Sequence, residues 1–255
     1  MSIIKSVSFE KAVPVWQAGM ECEKNHNLLF RAVVPAREGA VLRIAGHTHF
    51  QLRVNGRFVA VGPARAGHGY YRVDEYALDG LLTEPENVIS VLVAGYAVNS
   101  FAYLDMPSFL CCEVFAGEEL LAATGVCGFE AVLYTRRVKK VQRYSFQRPF
   151  AESYVFDAAY DDAACDPAWR GETVELAPTE EKNFIVRRAP YSAYEFVPVC
   201  ESISRGGVKK EVPEKRFADR AIVNIGEQLM GYTVEELERQ TAGEAECLVA
   251  DNADT

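Results

Sequence analysis

The chain has little with which to bind nucleic acid, cross a membrane or hold zinc. Its 255 residues carry 27 Lys and Arg against 36 Asp and Glu, a net charge of −9. Phosphate backbones call for a cationic face, so this balance argues against nucleic-acid binding as the main function. It is compatible with neutral ligands such as sugars. No apolar run approaches a membrane span, and Met1–Val7 lacks the apolar stretch of a signal peptide. The expected location is therefore cytoplasmic. None of the seven cysteines is spaced C-x-x-C, which removes the zinc-knuckle and thioredoxin readings. An odd, scattered set reads as free thiols in a reducing compartment, serving as small buried hydrophobes. Cys111 and Cys112 alternate along a strand, so only one of them is expected to face a core.

Catalytic signatures are equally scarce. There is no nucleophile elbow, and Gly62–Gly69 is glycine-rich without the Gly-Lys-Ser/Thr ending of a phosphate loop. A glycosidase needs two carboxylates across a cleft, about 5–10 Å apart. The acidic pairs Asp161-Asp162, Glu180-Glu181 and Glu235-Glu236 are sequence neighbours, which point to opposite faces of a strand. They read as solvated loop charge. His47 and His49, at i and i+2, would share one strand face and supply half a metal site, but no third ligand lies nearby. His26 and His68 are isolated. No catalytic residue, metal or other cofactor is assigned.

What the chain does have is β-structure. Apolar residues make up 49% of it, enough for a sizeable core. Asn55-Gly56 sits between two alternating runs, the strongest short hairpin signal, because both residues accept the positive φ of a type I′ turn. A two-residue turn sets Val54 opposite Arg57 and Leu52 opposite Val59. Phe50, Leu52, Val54, Val59 and Val61 then share the core face, with Gln51, Arg53, Phe58 and Ala60 on the other. Further strands are expected over 28–34, 41–45, 87–94, 108–115, 120–124, 129–134 and 138–144. The β-branched 87–94 run reads as a central strand. Short, regularly spaced strands with hardly any helical period predict an all-β, jelly-roll-like sandwich of the galactose-binding type over 1–172. Residues 161–167 read as loop. A smaller, incomplete β-rich region follows over 173–255, with strands near 184–188 and 194–199. A capping box at Thr233–Glu236 opens a short helix in an acidic tail.

Two clusters invite a functional reading. Arg136, Arg137, Lys139, Lys140, Arg143 and Arg148 lie in an acid-free stretch, either a surface for an anionic ligand or a partner, or an exposed strand whose charges deter edge pairing. Tyr70, Tyr71, Tyr76, Tyr96, Phe101 and Tyr103 accompany Arg65, His68, Arg72, Asp74 and Asn99 in loop-like segments. Aromatic faces with polar neighbours suit sugar stacking; the competing reading is that the rings fill the sandwich.

The ordered set Phe30-Arg31-Ala32, Val54–Arg57, Gly62-Pro63-Ala64-Arg65, Tyr70–Asp74, Val93–Tyr96, Asp105–Phe109, Val141–Phe150 with Glu152 and Tyr154, and Arg187–Pro190 resembles the N-terminal region of bacterial α-L-rhamnosidases. The resemblance covers about residues 12–200. It implies a multidomain parent in which several β-sandwiches precede an (α/α)₆ barrel that hydrolyses terminal α-L-rhamnose with inversion. The barrel's acidic residues have no counterpart here. The resemblance therefore implies a non-catalytic portion that positions the catalytic domain or assists carbohydrate recognition. Candidate carbohydrate-binding or domain-docking residues are Arg65, His68, Tyr70, Tyr71, Asp74 and Tyr96. The expected partners are a carbohydrate or the missing catalytic domain, with no nucleic acid and no membrane. A carbohydrate-binding module acting alone, or a structural interaction domain, are the alternative readings.

Overall fold

The computed structural model describes residues 5–143, 145–155, 159–194, 199–205 and 208–213. The chain divides into two compact units, Met1–Ser192 and Ala193–Thr255. In the second, β13 (Val199–Arg205) and β14 (Val208–Pro213) pair antiparallel. The capping box at Thr233 and the acidic tail lie outside the described residues, as do residues 195–198 of the strand expected at 194–199.

The first unit holds β1 (Val15–Gln17), β2 (His26–Pro35), β3 (Ala40–His47), β4 (His49–Val54), β5 (Arg57–Gly62), β6 (Tyr70–Ala77) and β7 (Glu86–Gly95). It continues with β8 (Phe109–Ala116), β9 (Glu119–Ala123), β10 (Phe129–Leu133), α1 (Ala159–Cys165), β11 (Leu176–Pro178) and β12 (Asn183–Val186). A seven-stranded sheet has the order β11-β1-β8-β3-β6-β12, with β9 on β8; a five-stranded sheet has the order β10-β2-β7-β4-β5. Among the described strands, β12 pairs parallel with β6 and the other strand pairs are antiparallel. The fold is thus the expected β-sandwich. Trp16, Leu28, Phe30, Ile44, Leu52 and Leu110 are fully buried between the sheets. Each such side chain stabilises the fold by about 1.5–3 kcal/mol. Strand β7 lies between β2 and β4, the central place that its β-branched run called for.

Four expectations are corrected. First, residues beyond 172 complete the first sandwich: β11 pairs with β1 and β12 with β6. The partners are more than a hundred residues away, beyond any local pattern. Second, Asp161 and Asp162 fall in α1 rather than in a loop. Third, residues 138–143 form no strand; the bridge at Arg137↔Tyr154 is isolated. Fourth, the hairpin register shifts after Arg53↔Phe58, so that Leu52 pairs with Ala60 and Phe50 with Gly62. The bulge turns Val61 out, 46% exposed, and takes Ala60 and Gly62 inward.

The turn itself is as read, with φ of 50° at Asn55 and 74° at Gly56. Asn55 does more than turn. Its side chain donates to Asn87 Oδ1 at 2.8 Å and accepts from Val88 N at 2.8 Å, which ties the hairpin tip to β7.

The two outer faces are covered differently. On the seven-stranded sheet, Ala45, Tyr71, Val73, Phe109 and Cys111 pack under Val7, Phe9 and Ala12 of the N-terminal segment and Phe184 of β12. Both Cys111 and Cys112 are therefore buried, Cys112 between the sheets and Cys111 under this second layer. Cys22, Cys127 and Cys165 are exposed, contrary to the expectation of buried thiols. The N-terminal segment is held by the fully buried Glu113, whose carboxylate accepts from the backbone N–H groups of Glu10, Lys11 and Ala12 and from Arg43 at 3.0–3.1 Å. On the five-stranded sheet, α1 and Trp169 cover Leu29 and Val132. The buried Arg31 organises this cover. It donates to the carbonyls of Ala163 and Asp166 at 2.8 Å, pairs with Glu130, and lies 5.0 Å from the Trp169 ring centroid. The Ala163 carbonyl lies in the last turn of α1, so the guanidinium both caps the helix and fixes it to the sheet. Elsewhere on this face, among the described residues, Val61, Leu92 and Ala94 line a groove of about 490 Å³.

Candidate functional site

The sandwich positions a cleft of about 210 Å³ at one of its ends, where the β3–β4 corner, the β5–β6 loop and the segment 100–106 meet. His47 ends β3 and His49 begins β4, so the corner sets them on different strands rather than on one strand face as expected. Among the described residues no group of three His, Cys, Asp or Glu is placed to hold a metal ion. Burial pushes the His47 imidazole down to about 4 and also lowers that of His49, so both are neutral at pH 7. Each packs edge-on against a tyrosine: His47 against Tyr71, with ring centroids 5.9 Å apart, and His49 against Tyr103 at 4.5 Å. The cleft lining includes no carboxylate, so it holds no acid–base pair for glycoside hydrolysis.

The six candidate residues separate into two groups. Arg65, His68, Tyr70 and Tyr71 all line the cleft. Arg65 and His68 are exposed on the β5–β6 loop. Tyr70 is 39% exposed, whereas Tyr71 is buried against Phe109 at 4.7 Å, with its hydroxyl 3.9 Å from the Met106 sulfur. Burial raises the Tyr71 phenol above its ordinary value. Tyr70, Tyr71 and Tyr76 thus belong to strand β6, not to a loop.

Asp74 and Tyr96 lie inside the domain. Asp74 is fully buried and accepts from Arg187 at 2.9 Å and from the Tyr76 hydroxyl at 3.4 Å. Burial raises its carboxyl, and Arg187 counters that rise. A side chain at position 62 would collide with the Phe50 ring and the Asp74 carboxylate, so glycine there is required by close approach. Tyr96, 6% exposed, accepts from Arg137 at 3.2 Å, and the guanidinium lies 5.1 Å from its ring centroid. Arg137 in turn meets Glu152 at 3.1 Å, and the Tyr154 hydroxyl donates to Glu152 at 3.2 Å. Most of the ordered motif set therefore packs: Gly62 with Asp74 and Arg187, and Tyr96 with Arg137, Glu152 and Tyr154.

The basic stretch forms no exposed strand, and Arg137, Lys139 and Arg143 are engaged within the domain. Arg137 points inward, Lys139 pairs with Glu23 at 2.7 Å, and Arg143 donates to the carbonyls of Asn99, Phe146, Arg148 and Pro149. The guanidinium of Arg143 thereby pins the loop 97–106 to the loop 143–150. This pinning presents two exposed rings: Phe101 is 77% and Phe146 75% exposed, with centroids 6.4 Å apart. Phe101 also lines the cleft. Phe146 was missed in the sequence. A phenylalanine flanked by polar residues in an arginine-rich run was the available signal.

A structural comparison finds a GH78 family rhamnosidase of Bacillus sp. GL1 similar to this chain, with a TM-score of 0.67 and 26% identity, over 78% of this chain and 22% of that one. The α-L-rhamnosidase from Dictyoglumus thermophilum matches at a TM-score of 0.42 and 14% identity, over 79% of this chain and 23% of that one. The Streptomyces avermitilis α-L-rhamnosidase complexed with L-rhamnose matches at 0.40 and 14%, over 69% and 15%. The chain thus spans less than a quarter of the length of these rhamnosidases. No protein-family model matches it, and no curated protein does. The chain resembles a β-sandwich region of GH78 rhamnosidases.

Proposed function

We propose that this chain is a non-catalytic β-sandwich portion of an α-L-rhamnosidase-like enzyme, and that it positions the catalytic domain of that enzyme. The likeness to the Bacillus rhamnosidase, over 78% of this chain but 22% of that one, carries the reading. The chemistry of the cleft supports it, since two neutral imidazoles and no carboxylate suit contact rather than acid–base work. The docking edge is the rim of the cleft. There Phe101 and Phe146, with Leu104 at 45% exposure, give an apolar surface bordered by Arg65, His68 and Tyr70. Isolated surface hydrophobes need no explanation, but adjacent rings this exposed mark a contact surface.

The test is incubation of the purified chain with an aryl α-L-rhamnoside. No release of the aryl alcohol above the uncatalysed rate is expected. Turnover by this chain, abolished by a single carboxylate substitution, would overturn the reading.

A further inference from the structure

Residues 187–192 follow β12 at the end of the first unit, and among the described residues no strand pairs with them. Arg188, Ala189, Pro190 and Tyr191 are exposed. A segment of this kind ordinarily opens at little cost. Here it is gripped by side chains. Arg187 Nη1 donates to Asp74 Oδ1 at 2.9 Å, while its Nε and Nη2 donate to the carbonyls of Ala189 at 2.9 Å and Pro190 at 2.7 Å. One guanidinium thus ties the turn to itself and to β6. The Tyr191 hydroxyl accepts from Glu75 N at 2.8 Å. The parallel pairing of β12 with β6 ends at Val186↔Val73, so the phenol takes a β6 N–H that lies beyond that strand. The Tyr191 ring centroid lies 4.3 Å from the Arg187 guanidinium carbon and 5.3 Å from the Tyr76 ring. Pro190 fixes its own φ and restricts Ala189 before it.

The anchor of this grip is a carboxylate with no exposure, facing a guanidinium side chain that is 10% exposed. Apolar side chains in the place of a buried ion pair often stabilise a fold as well or better. Residues 187–192 also add nothing to the apolar clusters between and upon the sheets. What the pair secures is the position of an exposed turn. That turn ends where the first unit ends, at Ser192.

We propose that Asp74, Arg187 and Tyr191 form a clamp that fixes the point at which the chain leaves the sandwich, so that residues 187–191 move as one body with β6. A part that positions another needs such a fixed point of departure. The clamp is a property of the first unit and does not depend on the rhamnosidase reading: turnover of a rhamnoside by the chain would overturn that reading and leave the clamp standing.

The experiment is limited trypsin proteolysis of the full chain, following cleavage between Arg188 and Ala189 by mass spectrometry, with urea denaturation alongside. Cleavage tracks the population of the opened turn. In the native chain this bond should be cut slowly despite its exposure. Arg187→Lys keeps a cation for Asp74 but loses the planar fork that also reaches two carbonyls. It should raise the cleavage rate roughly tenfold with a urea midpoint close to native. Tyr191→Phe keeps the ring and removes the acceptor of Glu75 N. In the ¹⁵N-labelled chain it should speed hydrogen exchange at the Glu75 amide roughly tenfold, again without a shift in midpoint. Native cleavage as fast as in Arg187→Lys, an unchanged Glu75 exchange rate in Tyr191→Phe, or a rise in cleavage matched by an equal fall in global stability would each overturn the proposal. If Arg187→Lys does not fold, Tyr191→Phe decides.

Discussion

On the seven-stranded sheet the chain packs an N-terminal segment over the outer face; on the five-stranded sheet the described residues cover one part and leave a groove in another. The closed face is bound by a charge-assisted network in which one carboxylate, Glu113, gathers three backbone N–H groups and a guanidinium. The half-covered face uses the complementary device, one guanidinium, Arg31, gathering two carbonyls, a carboxylate and an aromatic ring. In both places a buried charge fixes a segment that lies outside the two sheets. The covered areas therefore serve stability, and among the described residues the groove is where the outer face of the five-stranded sheet stays uncovered.

Removing the anchor of the closed face should have the largest effect. Glu113→Ala leaves Arg43 and the N–H groups of residues 10–12 without their acceptor, and breaking a buried charge network of this kind costs about 3–5 kcal/mol. Urea denaturation should show that loss, with faster proteolysis within residues 5–12. A loss below about 1 kcal/mol would mean that the segment is held by its apolar contacts instead.

Acidification tests the same face at its end. The native His47 imidazole holds its proton less tightly than the unfolded one, whose ordinary value is 6.5. Its contribution is present in full above pH 6.5 and is lost as pH falls toward about 4. That loss amounts to about 3 kcal/mol. Stability measured between pH 7 and pH 4 should fall more steeply in the native protein than in His47→Gln. Parallel curves would show that other groups carry the acid sensitivity.

The smallest pair of effects sharpens the comparison directly. Ala45, with no exposure under the N-terminal segment, and Ala94, on the open groove, are small residues on the two outer faces. Ala45→Phe should cost about 1–3 kcal/mol by overpacking. Ala94→Phe should stay within about 0.5 kcal/mol, as surface changes do. Equal losses in thermal denaturation would mean that the groove is not open.

Where one strand or turn carried its own pattern, the sequence was sufficient. Asn55-Gly56 marked the tip, and the β-branched 87–94 run marked a central strand. Failures came where the deciding partner was remote. The bulge that turns Val61 outward lets Ala60 and Gly62 face inward, and Gly62 must then clear Phe50 and Asp74. Nothing within the hairpin announces Asp74. The helix α1 is seven residues long and is tied to Arg31, 132 residues from the carbonyl of Ala163. Too short to show a helical period, it read as loop. Four of six candidate site residues did reach one cleft, because they follow one another through a single loop and strand. Asp74 and Tyr96 did not, because charge and aromaticity alone do not tell a ligand contact from a buried pair.

The Asp74–Arg187 pair spans 113 residues of chain and joins one of the early strands to one of the last. During synthesis, at about 5–20 residues per second, Asp74 leaves the ribosome on the order of ten seconds before its partner. For that interval the five early-made strands β2–β6 have no cation for the carboxylate they would bury, and β6 has no β12 along its edge. The last partners of the early strands thus reach them late: a stall in translation between residues 74 and 187 would leave the Asp74 carboxylate without its guanidinium and the edge of β6 without β12.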